Sequence, residues 1–249
     1  HHFPTEFMCA LLNSEDPNGD KAQEYINECQ NMGIQITSPD INKSKSNYFI
    51  AGDKKIATGL AAIKGVGDTA IASIIESQPF ADLKDFFSKI DGRVVNKRVL
   101  QSLAKAGAFD SLNRTRKDIY ENYDKYRTKI TTAIKKNKSI DEIQLSEYKE
   151  EWDKKERLVN EREVLGRTIS GSLHEVFEDF FSKDSSLVTK ISKLDQIEER
   201  KKVKIEAIIN SKIKEFKIKN GKSVGKKFAK YLIEDIHGDA YIALLEQLG

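Results

Sequence analysis

The clearest chemistry spelled out by spacing in this 249-residue chain is the holding of an anion by backbone. The stretch Ile63-Lys64-Gly65-Val66-Gly67-Asp68-Thr69-Ala70 sets two glycines two residues apart, beside a lysine and ahead of the apolar run Ala70-Ile71-Ala72-Ser73-Ile74-Ile75. Gly65 and Gly67 are free to take φ > 0 and to bring backbone close to a ligand. An apolar helix is expected to end at this turn and a second to begin after it, with Asp68 or Thr69 as its cap. The first N–H groups of the second helix, at the positive end of its dipole, would receive a phosphate, and Lys64 adds a point charge. The plainer alternative is a tight turn between packed helices, in which the glycines serve packing alone.

A second glycine turn, Ala106-Gly107-Ala108-Phe109-Asp110, follows a helix expected from Asn96 to Ala106. Lys97, Arg98 and Lys105 line this helix, and Arg114, Arg116 and Lys117 follow it. A third candidate is Gln144-Leu145-Ser146-Glu147-Tyr148. Here Gln144 could grip a pocket rim while Leu145 and Tyr148 fill an apolar pocket in a partner. The alternative is a helix start with Leu145 and Tyr148 buried. Catalysis finds no such support. No Asp-x-Asp occurs, and the two cysteines, Cys9 and Cys29, lack metal-ligand spacing and are expected to be reduced thiols. No metal or cofactor site is expected in this chain.

Net charge is only +3, but it is unevenly placed. Residues 93–138 carry +9, residues 139–200 carry −6 and residues 201–249 carry +5. Basic blocks beside a glycine turn suit a surface that tracks nucleic acid, although most charge runs are solvated helix faces. No run of about 18 apolar residues exists, so no membrane partner is expected. The cysteine usage and the lack of a signal peptide suggest a cytoplasmic protein.

Around these candidates the periodicity predicts a mainly α chain with a C-terminal β portion. Two helices are expected within residues 5–32, and short strands at Tyr48-Phe49-Ile50 and Lys55-Ile56-Ala57. A basic helix is expected over residues 116–138, with Tyr120, Tyr123 and Tyr126 on a packed face rather than stacked on bases. A charged helix is expected over residues 149–166, and an apolar cluster at Val176, Phe177, Phe180 and Phe181. From Val203 the period becomes two. Four strands are expected: Val203–Ile209, Ile213–Ile218, Phe228–Glu234 and Tyr241–Leu245, with a turn at Lys219-Asn220-Gly221-Lys222.

The pattern around Gly65 and Gly67 resembles the helix-hairpin-helix element of DNA repair and replication proteins, which holds duplex phosphates without reading bases. Gln144 to Tyr148 resembles the short peptide by which bacterial replication proteins dock the sliding clamp. Glu147-Tyr148 departs from its usual Leu-Phe ending.

Longer runs resemble the C-family replicative polymerases of bacteria, the DNA polymerase III alpha subunits. They include Phe3-Pro4-Thr5-Glu6-Phe7-Met8-Cys9-Ala10-Leu11-Leu12-Asn13-Ser14, Gly59 to Gly67, Arg93-Val94-Val95-Asn96-Lys97-Arg98-Val99-Leu100, Lys105 to Asp110, and Glu161-Arg162-Glu163-Val164-Leu165-Gly166. Ser170-Gly171-Ser172-Leu173 departs from the family's Ser-Gly-His-Pro.

The resemblance implies the end of a fingers domain over residues 1–58 and a tandem helix-hairpin-helix domain over 59–138. A clamp-binding or connector region over 139–195 and the truncated start of an OB-fold over 196–249 would follow. Lys64, Gly65, Val66, Gly67, Asp68, Thr69, Lys97, Arg98, Lys105 and Gly107 would then face DNA, and Gln144, Leu145, Ser146 and Tyr148 the clamp. The implied partners are duplex and primer-template DNA, the sliding clamp and other replisome subunits. Mg²⁺ would serve the intact polymerase at carboxylates outside this chain. A rival expectation is a stand-alone, non-catalytic DNA-binding adaptor.

Overall fold

The computed structural model describes residues 3–17, 19–145, 150–177, 188–198, 201–219, 224–235 and 238–245. It divides into two units, residues 1–171 and 172–249, a boundary that falls within the expected connector.

The first unit opens with α1 (Pro4–Ser14) and α2 (Asp20–Asn31). Proline sits in the first turn of α1, where its missing N–H costs nothing, and Met8, Cys9 and Leu12 fall on its buried face. Gly33, at φ +70°, ends α2. Strands β1 (Gln35–Thr37), β2 (Phe49–Gly52) and β3 (Lys55–Ala57) form a sheet in the order β1-β3-β2, parallel between β1 and β3 and antiparallel between β3 and β2. Asn13 ties α1 to this sheet. Its amide donates to the Tyr48 carbonyl and accepts from the Tyr48 N–H, both at 2.9 Å. Cys9 and Cys29 are free and buried in the core beneath, where burial pushes the Cys29 thiol up to about 11.

The helix expected before the glycine turn is only a 3-10 turn, Leu60–Ala62. The reason lies at Gly59. A Cβ there would stand 2.3 Å from the Ser46 carbonyl, and the N–H groups of Leu60 and Ala61 donate to the carbonyls of Lys45 and Ser46. With β3 ending at Ala57 and Gly59 pressed against this segment, only one turn fits before the Lys64 N–H bonds to Val164.

Helices α3 (Asp68–Ser77), α4 (Leu83–Lys89), α5 (Lys97–Lys105), α6 (Arg116–Lys135) and α7 (Lys154–Leu165) follow. Side chains cap four of them: Asp82, Asn96, Thr115 and Asp153 each accept an N–H from the first turn of α4, α5, α6 and α7. One core joins these helices. At its centre Phe86 meets Phe80, Phe87 and Phe109 edge-on at 4.9, 5.4 and 5.1 Å, a favourable aromatic arrangement. Tyr123 and Tyr126 are buried in the same core, and Tyr120 lies edge-on to Trp152, so the tyrosines of α6 are a packed face as expected.

The second unit contains α8 (Leu173–Val176), a 3-10 turn at Ile191–Gln196, and the strands β4 (Ile208–Lys217), β5 (Lys227–Asp235) and β6 (Gly238–Leu245). The sheet is antiparallel in the order β4-β5-β6. Among the described residues it has three strands, not four. Residues 201–207 pair with no described strand, and the Lys204 carbonyl instead accepts from the Thr189 N–H at 2.8 Å. Phe180 and Phe181 and the turn residues Asn220 to Lys222 lie outside the described residues.

Candidate nucleic-acid interface

The turn before α3 is built from both sides. Val66 and Ala70 point into the core, while Lys64, Gly65, Gly67, Asp68 and Thr69 are exposed. The Lys64 N–H donates to the Val164 carbonyl at 2.8 Å, and the Val66 N–H to Ile63 at 3.1 Å. Gly65 takes φ +89°, a left-handed conformation that side chains resist. A Cβ on it would stand 2.9 Å from Ser102 Oγ and 3.5 Å from Arg98 Nε.

The cap of α3 differs from the expectation. Gly67 is the N-cap, at φ −89° and ψ 165°, and no side chain closes the helix; Asp68 and Thr69 are already its first two residues. The Gly67 carbonyl accepts from Ala70 and Ile71. The N–H groups of Gly65, Gly67, Asp68 and Thr69 therefore carry no hydrogen bond among the described residues. A Cβ at Gly67 would meet nothing within 4 Å. Open space thus lies beside Gly67 at the N-terminus of α3, where backbone donors are left free, a feature suited to an anion.

Two of the sequence-derived cations gather here. Lys64 and Arg98 are exposed, with no ion pair among the described residues, and Arg98 lies against Gly65. Lys97, next to Arg98, places its Nζ 5.8 Å from the Tyr123 ring. Lys105 stands differently. Its ammonium is 2.7 Å from Glu163 and over the Tyr120 ring, with the side chain only 14% exposed. Gly107, at φ +78°, is buried under Arg116, whose guanidinium leaves only 2.3 Å for a Cβ. The second glycine turn is therefore covered by protein where the first is open.

The cover is an ion network that the sequence did not announce. Buried Arg116 binds Asp110 at 2.7 Å and Glu161 at 2.6 Å. Glu161 also accepts from the N–H groups of Ile169 and Ser170, at 2.8 and 3.0 Å. Burial raises the Glu161 carboxyl, but the Ser170 and Ile169 donors and the hydrogen bond from Arg116 outweigh it and hold the group below its ordinary value. Arg114 and Lys117 likewise face Asp118 and Glu150, so much of the basic block is balanced internally. Of the expected clamp peptide, Gln144 is exposed and Leu145 packs half-buried on the core. Ser146 and Tyr148 lie outside the described residues. Among the described residues no three His, Cys, Asp or Glu side chains are grouped to hold a metal ion.

Residues 33–119 match the family described as the helix-hairpin-helix motif. The DNA polymerase III alpha subunit of Campylobacter jejuni is 33% identical over 247 residues, covering 90% of this chain and 20% of its own length. The same subunit of Borreliella burgdorferi is 32% identical over 259 residues, covering 95% of this chain and 22% of its own. The chain belongs to the DNA polymerase III alpha-subunit family. The Thermus aquaticus member is 43% identical over 114 residues, 44% of this chain and 9% of its own. The chain spans about a fifth of the length of the family members that it matches along most of its course. The helix-hairpin-helix match runs from Gly33 through the open glycine turn to Ile119 in α6.

Proposed function

We propose that this chain is the duplex-holding portion of a bacterial-type replicative DNA polymerase. It would grip the product duplex by its phosphates and leave the bases unread. The observation that carries this reading is the open turn at Gly65–Thr69, where four unbonded N–H groups stand beside Lys64 and Arg98. Lys97 would add to this surface. Lys105 and Gly107, expected to bind DNA through a tandem second hairpin, would act within the protein. The intact polymerase would extend primers from nucleoside triphosphates in the cytoplasm. Its metal-binding carboxylates would lie elsewhere in the polymerase, and the β4-β5-β6 sheet would be the start of an OB-fold near the template strand. A stand-alone adaptor would share the phosphate grip, but the match to polymerase subunits along most of the chain supports the polymerase reading.

The test is binding of the chain to a primed duplex across a salt series. The logarithm of the affinity should fall linearly with the logarithm of salt, with a steep slope. Binding that ignores salt, or no duplex binding at low salt, would remove the reading. Gln144 to Tyr148 would dock the sliding clamp, with Leu145 leaving the core to enter the clamp pocket. Gln144→Ala should then weaken capture by a bacterial sliding clamp without changing stability. Unchanged capture would remove this role.

A further inference from the structure

Besides its own Val66–Ile63 bond and the buried Val66, the open turn is tied to the end of α7. Among the described residues its one bond to a distant segment is the donation from the Lys64 N–H to the Val164 carbonyl, in the last turn of α7. That last turn is in turn fixed on two sides. Glu161, one helical turn before, is bound to Arg116. Arg167, just beyond the Gly166 cap, is 7% exposed and reaches across the first unit. Its Nη2 donates to Thr58 Oγ1 at 3.0 Å, 109 residues away in sequence, and its Nη1 to the Tyr48 hydroxyl at 3.3 Å, with the guanidinium over the Tyr48 ring. Thr58 immediately precedes Gly59 and the 3-10 turn that leads into Lys64. It is itself bonded to the Thr37 carbonyl through both its N–H and its hydroxyl.

Arg167 is costly to place. A buried guanidinium normally has a carboxylate partner. Here the partners are two neutral hydroxyls and an aromatic ring, and the Nε finds no acceptor among the described residues. An apolar side chain would fill such a position with less penalty, so packing alone does not explain an arginine. What arginine supplies is reach and a fork: one rigid group touches both the sheet and the segment that enters the glycine turn.

We propose that Arg167 is a positioning residue for the phosphate-holding turn. It fixes the end of α7 against Thr58, so that the Val164 carbonyl meets the Lys64 N–H and the free donors of Gly65–Thr69 converge on one phosphate. The inference rests on the duplex-holding reading above, and it deepens that reading by naming what sets the turn.

The test uses Arg167→Met and Arg167→Lys, with wild type beside them, well below their melting temperatures. Two quantities are measured: hydrogen exchange of the Lys64 amide without DNA, and primed-duplex affinity across salt. In Arg167→Met the Lys64 amide should exchange faster. Affinity should drop roughly tenfold or more, the scale of losing a hydrogen bond to a charged group. The salt slope should stay that of wild type, because no cation touching phosphate has been removed. Arg167→Lys, which keeps charge and one bond, should recover part of both. A merely structural role would lower the melting temperature while leaving the affinity of the folded protein intact, and that result overturns the proposal. A slope that falls by about one would mean that Arg167 itself touches phosphate, which also overturns it. If wild type fails to bind duplex, the duplex-holding reading falls. Exchange then judges the bracket alone, and unchanged Lys64 exchange in Arg167→Met refutes it.

Discussion

Arg98 on α5 lies against Gly65 in the turn before α3, its Nε 3.5 Å from where a Cβ on residue 65 would sit. The helix leading into the second glycine turn therefore lends its cation to the first. The two turns are not equivalent copies. One is open and carries charge, and the other is closed over Arg116.

The two glycines of the open turn should respond differently to substitution. Gly65→Ala forces a side chain into φ +89° and against Ser102, and should cost about 1–3 kcal/mol. Gly67→Ala meets no neighbour at an ordinary φ but puts alanine at the N-cap, and should cost less, no more than about 1 kcal/mol. Urea midpoints of the two variants measure this. Equal losses would mean that Gly67 is as confined as Gly65.

The cations should separate by the salt dependence of duplex binding. Lys64→Ala and Arg98→Ala should each lower the slope by about one. Lys105→Ala should leave the slope unchanged and lower stability instead, because Lys105 is held by Glu163 and Tyr120. A reduced slope in Lys105→Ala would return that residue to the DNA surface.

Acid should act through Glu161. Its carboxyl is held below the ordinary value of 4.5 in the folded chain, so it contributes stability above that value and loses it as pH falls through the lower, folded one. Glu161→Gln should therefore be less stable than wild type near neutral pH, with the gap narrowing as pH drops below about 4. Melting curves of both proteins across pH measure this. A gap that does not change with pH would mean that the charge of Glu161 is not what the network uses.

What the sequence disclosed was local. The spacing of Gly65 and Gly67, the helix from Asn96 to Ala106 and the tyrosine face of α6 each follow from neighbours within a turn or two. The short strands around Gly52 do as well. What it hid was paired over distance. A lysine or arginine looks the same in sequence whether it faces solvent or a carboxylate 45 or 58 positions away, as Arg116 and Lys105 do. Hence the basic block of residues 93–138 suggested more free charge than the fold leaves. Gly59 went unread for the same reason, since the Ser46 backbone that confines it is brought in by the sheet. The 3-10 turn in place of the first helix and the unpaired stretch 201–207 were missed because both have backbone groups bonded to segments that periodicity does not see.

The measurement that bears most directly on the central claim is duplex binding by Gly67→Val beside wild type, with folding checked by melting. A Cβ at residue 67, at the N-cap of α3, touches no protein atom within 4 Å, so valine would fill open space beside the free N–H groups of the turn without meeting the fold. If that space holds a phosphate, the variant should fold as wild type does and lose duplex affinity by roughly tenfold or more. A folded Gly67→Val that binds primed duplex with wild-type affinity and salt slope would contradict the claim, and the glycines would then be packing turns.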